Sequence, residues 1–120
     1  MAIARGEIYF AELGPTRGRE LDTKRRPVVV LSIDYLNGMS PVVVVVPGTS
    51  AKSHRRAFSN EVQVDPAEEN GLTNPTLFQC QQIKALDKGR FTQDRIGVLS
   101  EDDLLAIEDC VRYCLGLEQP

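Results

Sequence analysis

RGEIYFAELGPTRGRELDTKRRPVVVLS, residues 5–32, joins two strand patterns through a glycine-rich basic loop. From Glu7 to Leu13 the alternation places Ile8 and Phe10 on one face of a strand and Tyr9, Ala11 and Leu13 on the other, so both faces need covering. Gly14-Pro15 ends that strand. The loop that follows, Gly14 to Arg26, has no hydrophobic period and carries Arg17, Arg19, Lys24, Arg25 and Arg26 against Glu20 and Asp22. Connections of this length in a compact domain are usually functional or disordered. Pro27 can open a strand but not occupy its middle, and Val28 to Leu31 is a β-branched run of the kind buried on both sides.

Working outward, Asp34 to Pro41 supplies the turn residues Asn37-Gly38, and Val42 to Val46 is a second apolar run, expected to pair with the first. It stops at Pro47-Gly48 and leaves Thr49 and Ser50 at a strand end. A second basic loop holds Lys52, His54, Arg55 and Arg56 with no acid. Glu61 to Val64 alternates as a strand, Asp65 to Gly71 is a polar connection with room for a short helix, and Thr76 to Leu86 resumes the strand pattern, with Leu77, Gln79 and Gln81 on one face and Phe78, Cys80 and Gln82 on the other. Arg90 to Leu99 reads as one further bent strand. The last segment is helical: Ser100 is an N-cap, Glu101 to Asp103 complement the helix dipole, Leu104, Ile107, Val111, Cys114 and Leu115 form an apolar face, and Gly116 is the stop. Strands followed by one helix predict a mainly β fold, an antiparallel or mixed sheet curled into a small barrel and packed by the C-terminal helix.

At 120 residues the expectation is one domain, residues 1–120, able to bury a core without staples. No apolar run approaches a membrane span and no signal-peptide pattern opens the chain, which predicts a soluble cytoplasmic protein. The three cysteines, Cys80, Cys110 and Cys114, are odd in number and lack metal-ligand spacing, so they read as small buried hydrophobes. The net charge of -3 hides two cationic loops on an otherwise acidic chain, an arrangement that concentrates a phosphate chain if the loops meet. Signatures of nucleotide binding, zinc proteolysis and serine hydrolysis are missing. What remains is fixed cations and hydroxyls suited to holding a phosphodiester.

RGEIYFAELGPTRGRE, KRRPVVVLS, VVVVVPGTS, QQIKALDKGR and RIGVLS, in this order, resemble the successive blocks of the MazF/PemK-type toxin endoribonucleases of toxin–antitoxin systems. The resemblance implies a small SH3-like β-barrel with helices, usually a homodimer. Such an enzyme cleaves single-stranded RNA without metal or other cofactor, and a MazE-like antitoxin with an acidic C-terminal tail neutralises it. Carried over by position, it makes Arg26 and Thr49 the catalytic pair and Gly14 to Lys24 the segment over the RNA groove. Arginine suits phosphorane stabilisation, because its planar fork holds two phosphate oxygens and its pKa above about 12 makes it a poor proton acceptor. Thr49 is assigned a hydrogen bond to a phosphate oxygen, with Ser50 as a competing hydroxyl. Many relatives carry a carboxylate at the position of Gln81, so Gln81, with Gln82, is assigned to base edges rather than to proton transfer. Arg17, Arg19, Lys24, Arg25, Lys52, His54, Arg55 and Arg56 are assigned to RNA contact, His54 also being weighed as an acid or base. Tyr9 and Phe10 read as core rather than stacking platforms. The alternative function is a non-catalytic toxin on the same scaffold that poisons a protein such as DNA gyrase.

Overall fold

The structure, a computed structural model, describes residues 2–14, 25–51, 57–92 and 94–118. Its elements in chain order are β1 (Glu7–Glu12), β2 (Arg25–Val30), α1 (Asp34–Met39), β3 (Val42–Ser50), β4 (Glu61–Val64), β5 (Thr76–Gln79), β6 (Lys84–Asp87), β7 (Gly97–Val98) and α2 (Glu101–Cys114). Apart from the 3-10 turns at Cys80–Gln82 and Lys88–Arg90, all strands join one antiparallel sheet of order β4-β5-β3-β2-β1-β7, with β6 also paired to β3. The nine-residue β3 is the axis: its first half pairs with β6 and its second half with β5 along the same edge, which curls the sheet.

Both faces of the central strands are buried, as the alternation in β1 requires. Ile8, Val29 and Val46 face a core with Phe78, Ile107 and Val111, whereas Tyr9, Ala11, Val28, Val30, Val43 and Val45 face a second core with Leu86 and Phe91. Tyr9 stacks on Phe91 with ring centroids 4.7 Å apart. At about 1.5–3 kcal/mol for each fully buried aliphatic side chain, three consecutive buried valines hold β2 in the middle of the sheet.

Helix α2 closes the first core with Ile107, Cys110 and Val111. Ser100 Oγ accepts from Asp103 N at 3.1 Å, and Gly116, at φ 71°, lets Gly116 N donate to Tyr113 O and Leu117 N to Arg112 O. That pair of bonds satisfies the last carbonyls. Arg5 ties the first residues to three elements: its backbone N donates to Asp34 Oδ1, Nε to Leu31 O and Nη2 to Glu108. The neighbouring Glu7 accepts from Ala4 N, Tyr9 Oη and Arg95 Nη1. Arg5 to Glu7 is therefore scaffold.

Five expectations change. Asn37-Gly38 is not a turn between strands: Asn37 is buried, takes a hydrogen bond from Ser32 Oγ and returns one to Ser32 O, and this local bonding winds the chain into α1. The stretch from Thr76 to Leu86 is two strands, because Cys80–Gln82 forms a 3-10 turn that cancels the alternation expected there. Arg90 to Leu99 reduces to β7 and one isolated bridge between Ala11 and Phe91, and the connection from Asp65 to Gly71 holds turns rather than a helix. Leu115 is 53% exposed, since it falls on the C-cap beyond the buried face.

Candidate active site

The β1–β2 register pairs Ala11 with Arg26 and Phe10 with Pro27, and β2 pairs Val28 with Pro47. Continued by two residues, the β2–β3 register sets Arg26 opposite Thr49, and Arg26 Nη1 donates to Thr49 Oγ1 at 3.1 Å. The backbone ladder itself stops at Val28, next to two prolines that cannot donate, so a side-chain bond takes over at the rim. Arg26 is half-buried at the edge of the Tyr9 and Ala11 core. A guanidinium so placed is held by its strand and by Thr49. The pair presents one fixed positive charge and one hydroxyl to the same point in space.

Thr49 keeps its place through Gly48. A Cβ on Gly48 would lie 2.7 Å from Thr76 Cγ2 and 3.1 Å from Phe78 Cδ1, so only glycine lets β5 close against β3 there. Alternation then sends Thr49 to the Arg26 face and Ser50 to the opposite face. This separates the two hydroxyls: the one beside Arg26 belongs to Thr49.

On the opposite face Arg25 lies over the Phe10 ring, 4.5 Å from its centroid. Phe10 also lines a cavity of ≈ 190 Å³ together with Pro27, Ser50, Leu72, Asn74 and Thr76. Phe10 is thus half-buried at a site rather than wholly in the core, whereas Tyr9 is core as expected. Ser50 Oγ is buried and has no hydrogen-bond partner among the described residues. The wall opposite β2 is the connection between β4 and β5, and Asn70 shapes it. Its buried amide accepts from Ala67 N and Leu72 N and donates to Asp65 O, all within 3.0 Å. Gly71, at φ 69°, and Gly97 allow this connection to lie directly on Ile96: a Cβ at Gly71 would sit 1.9 Å from Ile96 O.

Gln81 is placed elsewhere. It lies on the 3-10 turn, its Oε1 accepts from Asn60 Nδ2 at 2.8 Å, and it lines a separate cavity of ≈ 610 Å³ with Phe58, Tyr113 and Cys114. Gln82 occupies the same turn. Arg17, Arg19, Lys24, Lys52, His54, Arg55 and Arg56 lie outside the described residues. Leu72, Asn74 and Thr76 were not among the expected site residues. The cluster Asn70-Gly71 and Thr73-Asn74-Pro75 was the only sequence signal for them, and it reads as an ordinary polar loop.

Burial raises the Cys80 thiol well above its ordinary value, with Cys110 as the next cause, and raises Cys114 for the same first reason. Cys80 and Cys114 therefore stay protonated at neutral pH, and Cys80 and Cys110 are buried in the first core. Tyr9 is also raised, by burial and then by its bond to Glu7. No group of three or more His, Cys, Asp or Glu able to hold a metal occurs among the described residues.

A curled antiparallel half-barrel packed by one long helix, with an arginine–threonine pair at its rim, defines a small mainly β protein of the half-barrel class. The chain belongs to a family described as PemK-like, MazF-like toxin of type II toxin-antitoxin system, which it matches over residues 4–115. Endoribonuclease EndoA of Bacillus subtilis (strain 168) is 31% identical over 117 residues, 98% of this chain and 97% of that one. Among solved structures, MazF (Form-I) from Deinococcus radiodurans superposes with TM-score 0.79 at 22% identity, covering 97% of this chain and 98% of that one. An endoribonuclease in complex with its cognate antitoxin from Mycobacterial species gives TM-score 0.77 at 24% identity, covering 99% and 100%.

Proposed function

We propose that this chain, as a single domain, is a toxin endoribonuclease that cuts single-stranded RNA by attack of the RNA's own 2′-hydroxyl. The observation that carries the reading is the Arg26–Thr49 contact at the rim, set in a chain 31% identical to a protein named Endoribonuclease EndoA. When the 2′-oxygen attacks phosphorus, two negative charges gather on the non-bridging oxygens of the phosphorane. Arg26 answers that charge with two parallel donors and Thr49 adds a hydroxyl donor, both fixed before the substrate arrives. The bond from phosphorus to the 5′-oxygen then breaks, and the proton lost by the 2′-hydroxyl to solvent is balanced by one taken up at the 5′-oxygen, leaving a 2′,3′-cyclic phosphate and a 5′-hydroxyl. Because the charge is neutralised by a guanidinium, the scheme calls for no metal. The gyrase-poisoning alternative has no comparable support, since the named relatives are endoribonucleases.

A cognate antitoxin with an acidic tail is the partner, its carboxylates standing in for RNA phosphates against the same cations. MazE-MazF complexes from Deinococcus radiodurans share the fold of this chain, with TM-score 0.72 for Form-I. A homodimer is supported by exposed Tyr35, Leu36 and Met39 on α1 beside Val42 and Val44 on β3, an apolar surface that an isologous contact would cover. No helix of the described residues is long and apolar enough to cross a membrane, and RNA as substrate places the protein in the cytoplasm. The test is incubation of purified protein with single-stranded RNA in the presence of a chelator. Cut RNA with 5′-hydroxyl ends supports the reading; intact RNA at concentrations where binding is measured refutes it.

A further inference from the structure

We infer that Lys84 and Arg90 are positioning residues for Arg26, acting through the end of β1. This rests on the endoribonuclease reading and names what holds the arginine in place for it. In the strand registers Arg26 is paired on one side only: the β2–β3 ladder stops at Val28, and Arg26 stands opposite Ala11, one pair before the β1–β2 register ends at Glu12 and Arg25. A two-stranded ribbon is marginally stable by itself, and its end frays unless something ties it down. On the other edge of β1 the backbone contacts run out at the same level. Ile96 N donates to Ile8 O, Thr92 N donates to Phe10 O, and the isolated bridge joins Ala11 to Phe91. Past Glu12 two side chains take over: Lys84 Nζ reaches Leu13 O at 3.4 Å, and Arg90 Nη1 donates to Gly14 O.

One stretch, KALDKGR, residues 84–90, delivers both cations. Lys84 pairs with Val45 and shares a face of β6 with Leu86, so its stem lies on the side of the second core while its ammonium reaches the backbone of β1. Asp87 Oδ1 accepts from Gly89 N at 2.7 Å and shapes the turn Lys88–Arg90. Phe91 then stacks on Tyr9 and bridges to Ala11, which seats Arg90 at the edge of β1. Neither Lys84 nor Arg90 makes an ion pair among the described residues. Their charge is directed at two consecutive carbonyls, and hydrogen bonds from a charged donor are about twice as strong as neutral ones. Together they fix the direction in which β1 ends. With that end fixed, Arg26 keeps its place opposite Ala11 and its Nη1 keeps its bond to Thr49 Oγ1. The precision matters, since a shift of about 1 Å at a reacting group costs on the order of 100-fold in rate.

The experiment measures single-turnover cleavage of a single-stranded RNA at saturating protein, and RNA affinity across a salt series, for the wild type, Lys84→Met, Arg90→Met and the double variant. Methionine keeps an unbranched apolar stem and removes the charge, and urea titrations confirm folding. The same substitutions are repeated in an Arg26→Ala background. The expected result is a loss of about 10- to 100-fold in the saturating rate of the double variant, with affinity and its salt dependence as in the wild type. Lys84→Arg and Arg90→Lys, which keep the charge, retain most of the rate. In the Arg26→Ala background the two methionines cost nothing further, because their effect passes through the missing side chain. If the double variant does not fold, Arg90→Met, at an exposed residue, carries the comparison. An undiminished rate, an equal loss in the Arg26→Ala background, or a weakened affinity with a shallower salt dependence, the mark of direct phosphate contact, overturns the positioning role and leaves the nuclease reading intact. No cleavage by the wild type overturns both.

Discussion

Arg26 and Thr49 are 23 residues apart in the chain and 3.1 Å apart in space, the guanidinium of one donating to the hydroxyl of the other across the ends of β2 and β3. The β2–β3 ladder has already stopped at Val28 and Pro47, although Arg26 is paired to Ala11 of β1 and Thr49 to Leu77 of β5. The contact depends instead on Pro27, which starts the valine run, and on Gly48, which lets β5 seat against β3.

If Thr49 contributes through its hydroxyl, Thr49→Val, nearly isosteric and well suited to a strand, folds normally and loses about 100-fold in cleavage rate, the scale of one missing transition-state donor. Thr49→Ser restores most of that rate. Equal activity in the valine variant and the wild type removes Thr49 from the chemistry.

Gly48→Ala forces its new methyl onto Thr76 and Phe78. Overpacking of this kind costs about 1–3 kcal/mol, so the urea midpoint falls and cleavage falls with it as Thr49 is displaced. Urea titrations and cleavage rates on the same preparations check both effects. A stable, fully active Gly48→Ala protein contradicts the role given to that glycine.

Asn70 is legible only as part of a polar loop, yet its buried amide makes three hydrogen bonds that shape the cavity wall. Truncation to alanine strands backbone groups that now have partners, and a loss of about 2–3 kcal/mol is expected in equilibrium unfolding. A change below about 0.5 kcal/mol, the size of an ordinary surface substitution, contradicts it.

Alkaline pH should destabilise the fold. Cys80 is pushed up by burial, so between the unfolded thiol's pKa of about 8.5 and its own folded value only the unfolded chain loses that proton. Stability from this group is complete below about pH 8.5 and declines above it by up to about 1.4 kcal/mol per pH unit, with Tyr9 adding a decline from about pH 10. Unfolding under reducing conditions at pH 7, 9 and 9.8 measures the slope. Cys80→Ala lowers stability throughout but flattens the slope by one thiol's share; an identical slope in that variant rules the mechanism out.

Much of this molecule is readable from its residues. The alternation of β1, with Ile8 on one face and Tyr9 and Ala11 on the other, anticipates the two cores, and Ser100 and Gly116 mark both ends of α2. Arg26 and Thr49 came from block order, and their contact follows from register once β2 and β3 are paired. The rest depends on contacts that no local pattern carries. Asn37 builds a helix because its side chain reaches Ser32, and Cys80–Gln82 leaves the strand as a 3-10 turn before β6 joins β3. The cavity wall exists because Gly71 and Gly97 allow two distant loops to touch. Phe10 reads as core in the sequence, and only its position under Arg25 places it at a site.

In the proposed reaction Arg26 carries the charge of the transition state. Single-turnover cleavage of a single-stranded RNA containing a mapped cut site, with wild type, Arg26→Lys and Arg26→Ala compared at saturating protein, tests it most directly. A fall of about 10³-fold or more is expected for Arg26→Ala, with a native circular dichroism spectrum, and partial recovery for Arg26→Lys, whose charge persists without the planar fork. A folded Arg26→Ala protein that cleaves within about threefold of the wild-type rate, well under the ~10²-fold scale of one lost transition-state donor, would contradict it.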